Sequence, residues 1–300
     1  MLLEKINQIN LTKFNEKFSF NHTIHTTKEE LQQFIQLGDL QYVWLPACPR
    51  ANRITSVFKW YKLDHSITEH HLSPYYKLGD NWVFDAEDDI FEETSIQDYF
   101  PKEIKATQPF LYDQTEKKII SNNTYHMSML MAELMDEIKD VEADKSLFPI
   151  EYREMLRKWN AWLYKNVNLK IYQVASKTDE DKKSGMKELK TAYDLLNNYL
   201  SETDYLYGNQ LTESDFRLFH NLIRHQIYFK QFKVFDRSLE EWTSLEQYVQ
   251  RILKKHPKIF DDLYFDEIRK THFRSEHNIK KYGFVEDIPS LEEVFPFSEK

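Results

Sequence analysis

The chain carries one cysteine, Cys48, in 300 residues. A single thiol cannot close an internal disulfide, so the fold is not a stapled secreted scaffold, and any thiol chemistry must take its second sulfur from another molecule. Glycine is also scarce, at 5, and neither the Walker nor the dinucleotide glycine pattern occurs; phosphate-cradling loops are not expected. Long apolar runs are missing as well. Stretches such as YVWLPAC (42–48) fall far short of the roughly 20 residues a membrane-spanning helix needs. The opening MLLEKINQIN lacks a signal peptide's basic start and apolar middle. A cytoplasmic protein with no membrane partner is the expectation. With a net charge of −9 the surface would repel a polyanion, so no nucleic-acid partner is expected, although local basic patches remain open.

What is present is enough for a folded chain: 41% of residues are hydrophobic, which supplies real cores for one large domain or two ordinary ones. A polar arm, 1–35, comes first. QYVWL (41–45) reads as a short buried strand, and PRANRITSVFKWYKL (49–63) as a helix with Ile54, Val57, Phe58 and Tyr61 on one face. The acidic stretch 64–105 reads as an irregular insertion, with DAEDDIFEETSIQDYF as a solvated loop. PFLYD (109–113) and KKII (117–120) are two strands joined by a tight turn, and TYHMSMLMAELMDEIKD is helical. A linker near 140–150 follows. From 150 to 300 the spacing is helical; Met186, Leu189, Tyr193, Leu196 and Leu200, for example, share a face. The expected order is thus a βα domain at 36–140 and an all-helical domain at 150–300.

Cys48 stands between the strand and Pro49, and proline favours the first helical position, so Cys48 should be the N-cap. The helix dipole there, with Arg50 and Arg53 in the first turn, favours a thiolate. The competing reading is a buried, inert cysteine; strand end, N-cap position and arginines together favour the reactive one. In LTESDFRLF (211–219), Thr212 and Asp215 form a capping-box-like pair, with Leu211 and Phe216 spaced as a hydrophobic staple, so Asp215 is read as a helix start and not as an acid–base group. Arg217 and Arg224 lie on nearly one face of that helix, where each either reaches a substrate anion or bridges to carboxylates. His65, His70 and His71 with Glu69 lack a metal-ligand pattern and read as a solvated loop, while His220 and His225 are five apart and diverge on a helix. No metal is expected.

The strand, PACPRANR, the helix, QPFLYD, IISNNT and a helical second half containing LTESDFRLFHNLIR together resemble the glutathione transferase superfamily, with the greatest likeness to its Xi class, the glutathionyl-hydroquinone reductases. The likeness runs over roughly residues 40–285. It implies an α/β thioredoxin-like N-terminal domain followed by an all-α glutathione-transferase-type domain, an enzyme, and a homodimer. The family motif Cys-Pro-Trp-Ala-His-Arg matches Cys48-Pro49-Arg50-Ala51-Asn52-Arg53, which keeps the nucleophile and changes the Trp and His positions.

The resemblance assigns glutathione, or another small thiol, to Arg50, Arg53, Gln108, Pro109, Asn123 and Thr124. Pro109 falls on the family's cis-proline. Asn123-Thr124 falls on its Glu-Ser pair, so a hydroxyl survives and the carboxylate does not. Tyr172, in NVNLKIYQ, matches the tyrosine that faces the aromatic or quinone-derived substrate, and His272 and Phe273 match a later tyrosine pair. Arg224 also matches a family position and is carried over as a substrate contact. The implied chemistry is reductive removal of glutathione from a glutathionylated hydroquinone through a mixed disulfide on Cys48, with Tyr172 assisting the departing ring. Three alternatives stay open: the same chemistry with another low-molecular-weight thiol, a non-catalytic binding protein of this fold, and a one-cysteine peroxidase, for which the upstream Thr-x-x-Cys pattern is absent.

Overall fold

The structure is a computed structural model. It describes the chain apart from residues 19–22, 64, 79–80, 85–90, 92–94, 140–144, 177, 233, 260–261, 287–289 and 295–300. The chain forms two compact units. Helices α1 (Leu2–Asn7) and α2 (Leu11–Lys17) belong to the helical unit. The sheet unit then holds α3 (Lys28–Leu37), β1 (Leu40–Trp44), α4 (Pro49–Tyr61), β2 (Ile67–Leu78), β3 (Asn81–Phe84), β4 (Phe110–Asp113), β5 (Lys118–Ser121) and most of α5 (Thr124–Ile138). The helical unit resumes with α6 (Arg153–Leu163), α7 (Leu169–Ser176), α8 (Asp179–Leu200), α9 (Glu213–Phe232) and α10 (Thr243–Lys255). Next, α11 (Asp262–Arg274) and α12 (Glu276–Tyr282) return to the sheet unit, and α13 (Leu291–Val294) to the helical one.

In the sheet unit the strand order is β3-β2-β1-β4-β5. The β1–β2 pair is parallel, and β1–β4, β4–β5 and β2–β3 are antiparallel. This β-α-β then β-β-α arrangement is the thioredoxin-like fold implied by the resemblance. β1 is central and all five of its residues are buried, as expected of a strand covered on both faces. On α4, Ile54, Val57, Phe58 and Tyr61 are buried as their spacing predicts, and Pro49 starts the helix.

Several expectations need correction. The stretch 64–105 is not an irregular insertion throughout: Ile67–Leu78 is a strand paired with β1, and Asn81–Phe84 pairs with it in turn. Of DAEDDIFEETSIQDYF, residues 85–90 and 92–94 lie outside the described residues, while 96–99 form a 3-10 turn. His70 and His71 therefore lie on β2 and not in a loop. His70 is buried and meets the Gln41 side chain at 2.8 Å, a polar pairing that a hydropathy pattern does not reveal. The arm at 1–35 holds α1, α2 and most of α3, and its first segment, Met1–Ser19, is part of the helical unit, whereas Lys258–Pro289 belongs to the sheet unit. Within the expected linker, 140–144 lies outside the described residues.

The helical unit is organised around the start of α9. Asp215 accepts hydrogen bonds from the Leu206 N–H (2.9 Å), the Thr212 N–H and hydroxyl (each 2.8 Å) and the Tyr248 hydroxyl (3.0 Å). This is a variant of the expected capping box, because the Thr212 hydroxyl donates to Asp215 and the Asp215 N–H goes to the Thr212 carbonyl. Leu211 and Phe216 are both buried. Arg217 forms a fully buried ion pair with Glu213 (2.9 Å), which also accepts from Asn160 (2.7 Å). Among the described residues no helix is long and apolar enough to cross a membrane.

Buried His225 stacks on Phe235 and meets the Arg237 carbonyl through Nε2 at 2.9 Å. Burial pushes its imidazole down from 6.5 to about 4. Between these values the unfolded chain binds the proton and the folded chain does not, so stability is present above about 6.5 and is lost as pH falls toward about 4. Urea titrations of the wild type and His225→Phe across this range should differ in slope, with the wild type losing about 3 kcal/mol more. The oppositely directed contribution of Asp215, raised by burial to about 6, cancels in that difference.

Candidate functional site

Cys48 is the N-cap of α4, in extended backbone conformation, and its side chain makes no capping bond. A short turn sets this position. The Cys48 N–H donates to the Leu45 carbonyl (2.9 Å), and the Cys48 carbonyl accepts the Asn52 N–H (3.0 Å) as the first helical bond. The Tyr42 hydroxyl reaches from β1 to the Ala51 carbonyl (3.0 Å) and fixes the first turn of α4 against the strand. With Pro49 contributing no N–H, the thiol stands at a helix start where positive partial charge accumulates. It is buried, with 9% of its surface exposed.

Two other predicted segments are tied to this region. The Gln108-Pro109 bond is cis, as the resemblance implies, and the Gln108 side-chain oxygen accepts the Leu45 N–H at 3.2 Å. Leu45 thus connects the Cys48 turn to the residue preceding the cis-proline. Arg53 is buried, and its guanidinium donates to the Thr124 carbonyl, bringing together two of the residues assigned to thiol binding. Arg50, in the first turn, is partly exposed.

Asn123 caps α5: its Oδ1 accepts the backbone N–H groups of Tyr125 (3.2 Å) and His126 (3.3 Å). Its amide nitrogen meets His25 Nδ1 at 2.9 Å, and His25 Nε2 lies 3.0 Å from the Thr23 hydroxyl. If Nδ1 accepts from the Asn123 amide, Nε2 carries the proton and donates to Thr23. Nothing in the sequence pattern points to His25, because it sits in a polar stretch with no periodicity. It reaches α5 through a backbone pairing of Ile24 with Asn122, in which the Ile24 N–H donates to the Asn122 side chain (2.7 Å) and the Asn122 N–H to the Ile24 carbonyl (3.2 Å).

The remaining candidates are distributed over both units. His272 and Phe273 are buried on α11 of the sheet unit, where the His272 carbonyl accepts from Asn278 (3.1 Å). Tyr172, partly buried on α7, and Arg224, buried on α9 and donating to the His220 carbonyl (3.5 Å), belong to the helical unit. Among the described residues no group of three or more His, Cys, Asp or Glu is arranged to hold a metal ion.

Residues 171–251 match the glutathione S-transferase C-terminal domain. The chain is 26% identical over 269 residues to the glutathionyl-hydroquinone reductase YqjG of Escherichia coli, covering 84% of this chain and 80% of that protein. The glutathione-bound structure of YqjG superposes with a TM-score of 0.72 at 23% identity, over 83% of this chain and 84% of that one. The crystal structure of the Xi glutathione S-transferase from Phanerochaete chrysosporium superposes with a TM-score of 0.74 at 24% identity, over 85% of this chain and 91% of that one. The resemblance seen in the sequence therefore holds, and the fold is that of the glutathione transferases.

Because buried Arg53 donates to the Thr124 carbonyl, Arg53→Ala removes that charge-assisted bond. A loss of about 2 kcal/mol is expected for a charge-assisted bond, read as a lower urea midpoint. Cys48→Ala, which breaks no side-chain hydrogen bond of the helix cap, should leave the midpoint within about 1 kcal/mol of wild type.

Proposed function

We propose that this chain, which has the glutathione transferase fold and a matching C-terminal domain, is a thiol-dependent reductase that removes glutathione from glutathionylated hydroquinones. The observation that carries the reading is Cys48: the chain's only thiol, at the start of α4, with no capping bond to occupy its sulfur. Relatives named as glutathionyl-hydroquinone reductases support the substrate class.

The Cys48 thiolate attacks the sulfur of the aryl thioether. An S–S bond forms to the glutathionyl sulfur, the aryl C–S bond breaks, and the ring carbon keeps the electron pair and takes up one proton. Tyr172 is assigned the proton or hydrogen bond to the departing ring. A second glutathione thiolate then attacks the mixed disulfide, releasing glutathione disulfide and restoring Cys48. The two electrons that reduce the aromatic ring thus come from the substrate's own glutathionyl sulfur and the second glutathione, which leave joined as the disulfide, and no second protein cysteine is required. The resemblance assigns Arg50, Arg53, Gln108, Pro109, Asn123 and Thr124 to the thiol, and His272, Phe273 and Arg224 to the substrate. A cytoplasmic homodimer is part of the same reading.

One observation favours a second reading, the same chemistry with a different small thiol. Asn123 stands where the family has a carboxylate, and its side chain is committed to the α5 backbone and His25.

Intact-mass measurement after incubation with a glutathionyl-hydroquinone should show one glutathionyl adduct on Cys48, discharged by added glutathione. Cys48→Ala should lose the adduct and at least roughly a thousandfold in turnover, as expected for removal of a covalent nucleophile. Turnover by Cys48→Ala equal to wild type defeats the proposal. An adduct formed only with a thiol other than glutathione selects the second reading.

A further inference from the structure

The helical unit contains a cavity of about 760 Å³, formed by α1, α2, the end of α6, the π-turn at Tyr164–Asn168 and one face of α8. That volume lies within the range that takes small organic ligands. Its charge is one-sided. Lys5, Lys13, Lys17, Lys165 and Lys187 line it, against a single acid, Glu188. Glu188 is already held by Lys170 (2.7 Å) and the Ser184 hydroxyl (3.3 Å). None of the five lysines forms an ion pair among the described residues.

A sphere of this volume is about 11 Å across, comparable to the screening length of roughly 8 Å at physiological salt, so neighbouring ammonium groups act on one another and on anything placed among them. In a chain of net charge −9, this is a local excess of the opposite sign. One carboxylate would not neutralise it; several negative charges on one ligand would.

The cavity also has an aromatic wall. Phe14 and Phe18 pack at 4.8 Å and both meet Tyr164 edge-on, and Phe14, Phe18 and Trp162 all line the space. Of the three, Phe18 is partly exposed and offers stacking surface for another ring, with Phe14 and Trp162 buried behind the wall. Since the chain has no glycine loop to cradle phosphates with backbone N–H groups, phosphate recognition here would rest on side-chain ammonium groups, which act as point charges.

We propose that this cavity binds an aromatic polyanion, a planar ring bearing a chain of phosphates as in a nucleoside triphosphate. The site is independent of the thiol chemistry, because it uses none of the residues assigned to it.

The test is isothermal titration of the full chain with ATP, inorganic triphosphate and adenosine, at low and high salt, for wild type and Lys13→Glu/Lys165→Glu/Lys187→Glu. ATP should bind, both fragments at least roughly tenfold more weakly, and the triple variant should lose at least roughly tenfold in ATP affinity, as should wild type in high salt. If the triple variant fails to fold, Lys165→Ala replaces it, with a loss of roughly threefold expected. Cys48→Ala should bind ATP as wild type does. No heat with ATP at millimolar concentration, affinity unchanged by the lysine substitutions, or triphosphate binding as tightly as ATP each overturns the proposal.

Discussion

Leu45 uses both of its backbone groups to hold the turn that carries Cys48: its carbonyl takes the Cys48 N–H and its N–H goes to Gln108. The thiol's position at a helix start follows from this turn, because it lets the chain leave a fully buried strand and begin a helix within four residues. The N-cap of α4 is left without a side-chain partner, so the Cys48 sulfur is not engaged in satisfying the helix end. The helix start is held instead from outside, by the Tyr42 hydroxyl on the Ala51 carbonyl. Cys48, the proposed nucleophile, and the residues that stabilise its turn are thus separate, as a preorganised site requires.

The start of α5 shows the opposite division. Asn123 does cap its helix, and Arg53 spends its charge on the neighbouring Thr124 carbonyl. Both were assigned to thiol binding through the resemblance, yet each also has a supporting task, so their side chains are not freely disposable. Thr124, partly exposed at the helix start, keeps a hydroxyl at the position where an α-helix offers its N–H groups to an anion. On the proposed function, thiol recognition would therefore rely more on backbone and hydroxyl groups than on a carboxylate.

Much of this was legible in the sequence where one signal dominated. Proline after Cys48 marked a helix start, the apolar spacing of α4 and α8 marked their buried faces, and PFLYD and KKII marked β4 and β5. β2 was missed for a physical reason: ITEHHLSPYYKL has two adjacent histidines, a glutamate and a proline, and hydropathy treats them as solvated. Burial of His70 is made tolerable by a partner on the adjacent strand, Gln41, and no property of either segment alone discloses that pairing. The two-unit division was also incompletely legible, because the chain returns to each unit after leaving it, and local periodicity carries no information about which unit a late helix joins.

The buried charges of α9 narrow what the helical unit can offer a ligand. Glu213 and Asp215 sit in the first turn, where the helix dipole favours carboxylates, and each is surrounded by donors. Arg217 closes the Glu213 pair within the same helix. Taking either partner away would strand a charge in the interior, so selection for stability alone is enough to retain both. An arginine held this way cannot also neutralise an incoming anion without abandoning Glu213. The five lysines around the one cavity are, by contrast, not accounted for by the ion pairs found among the described residues.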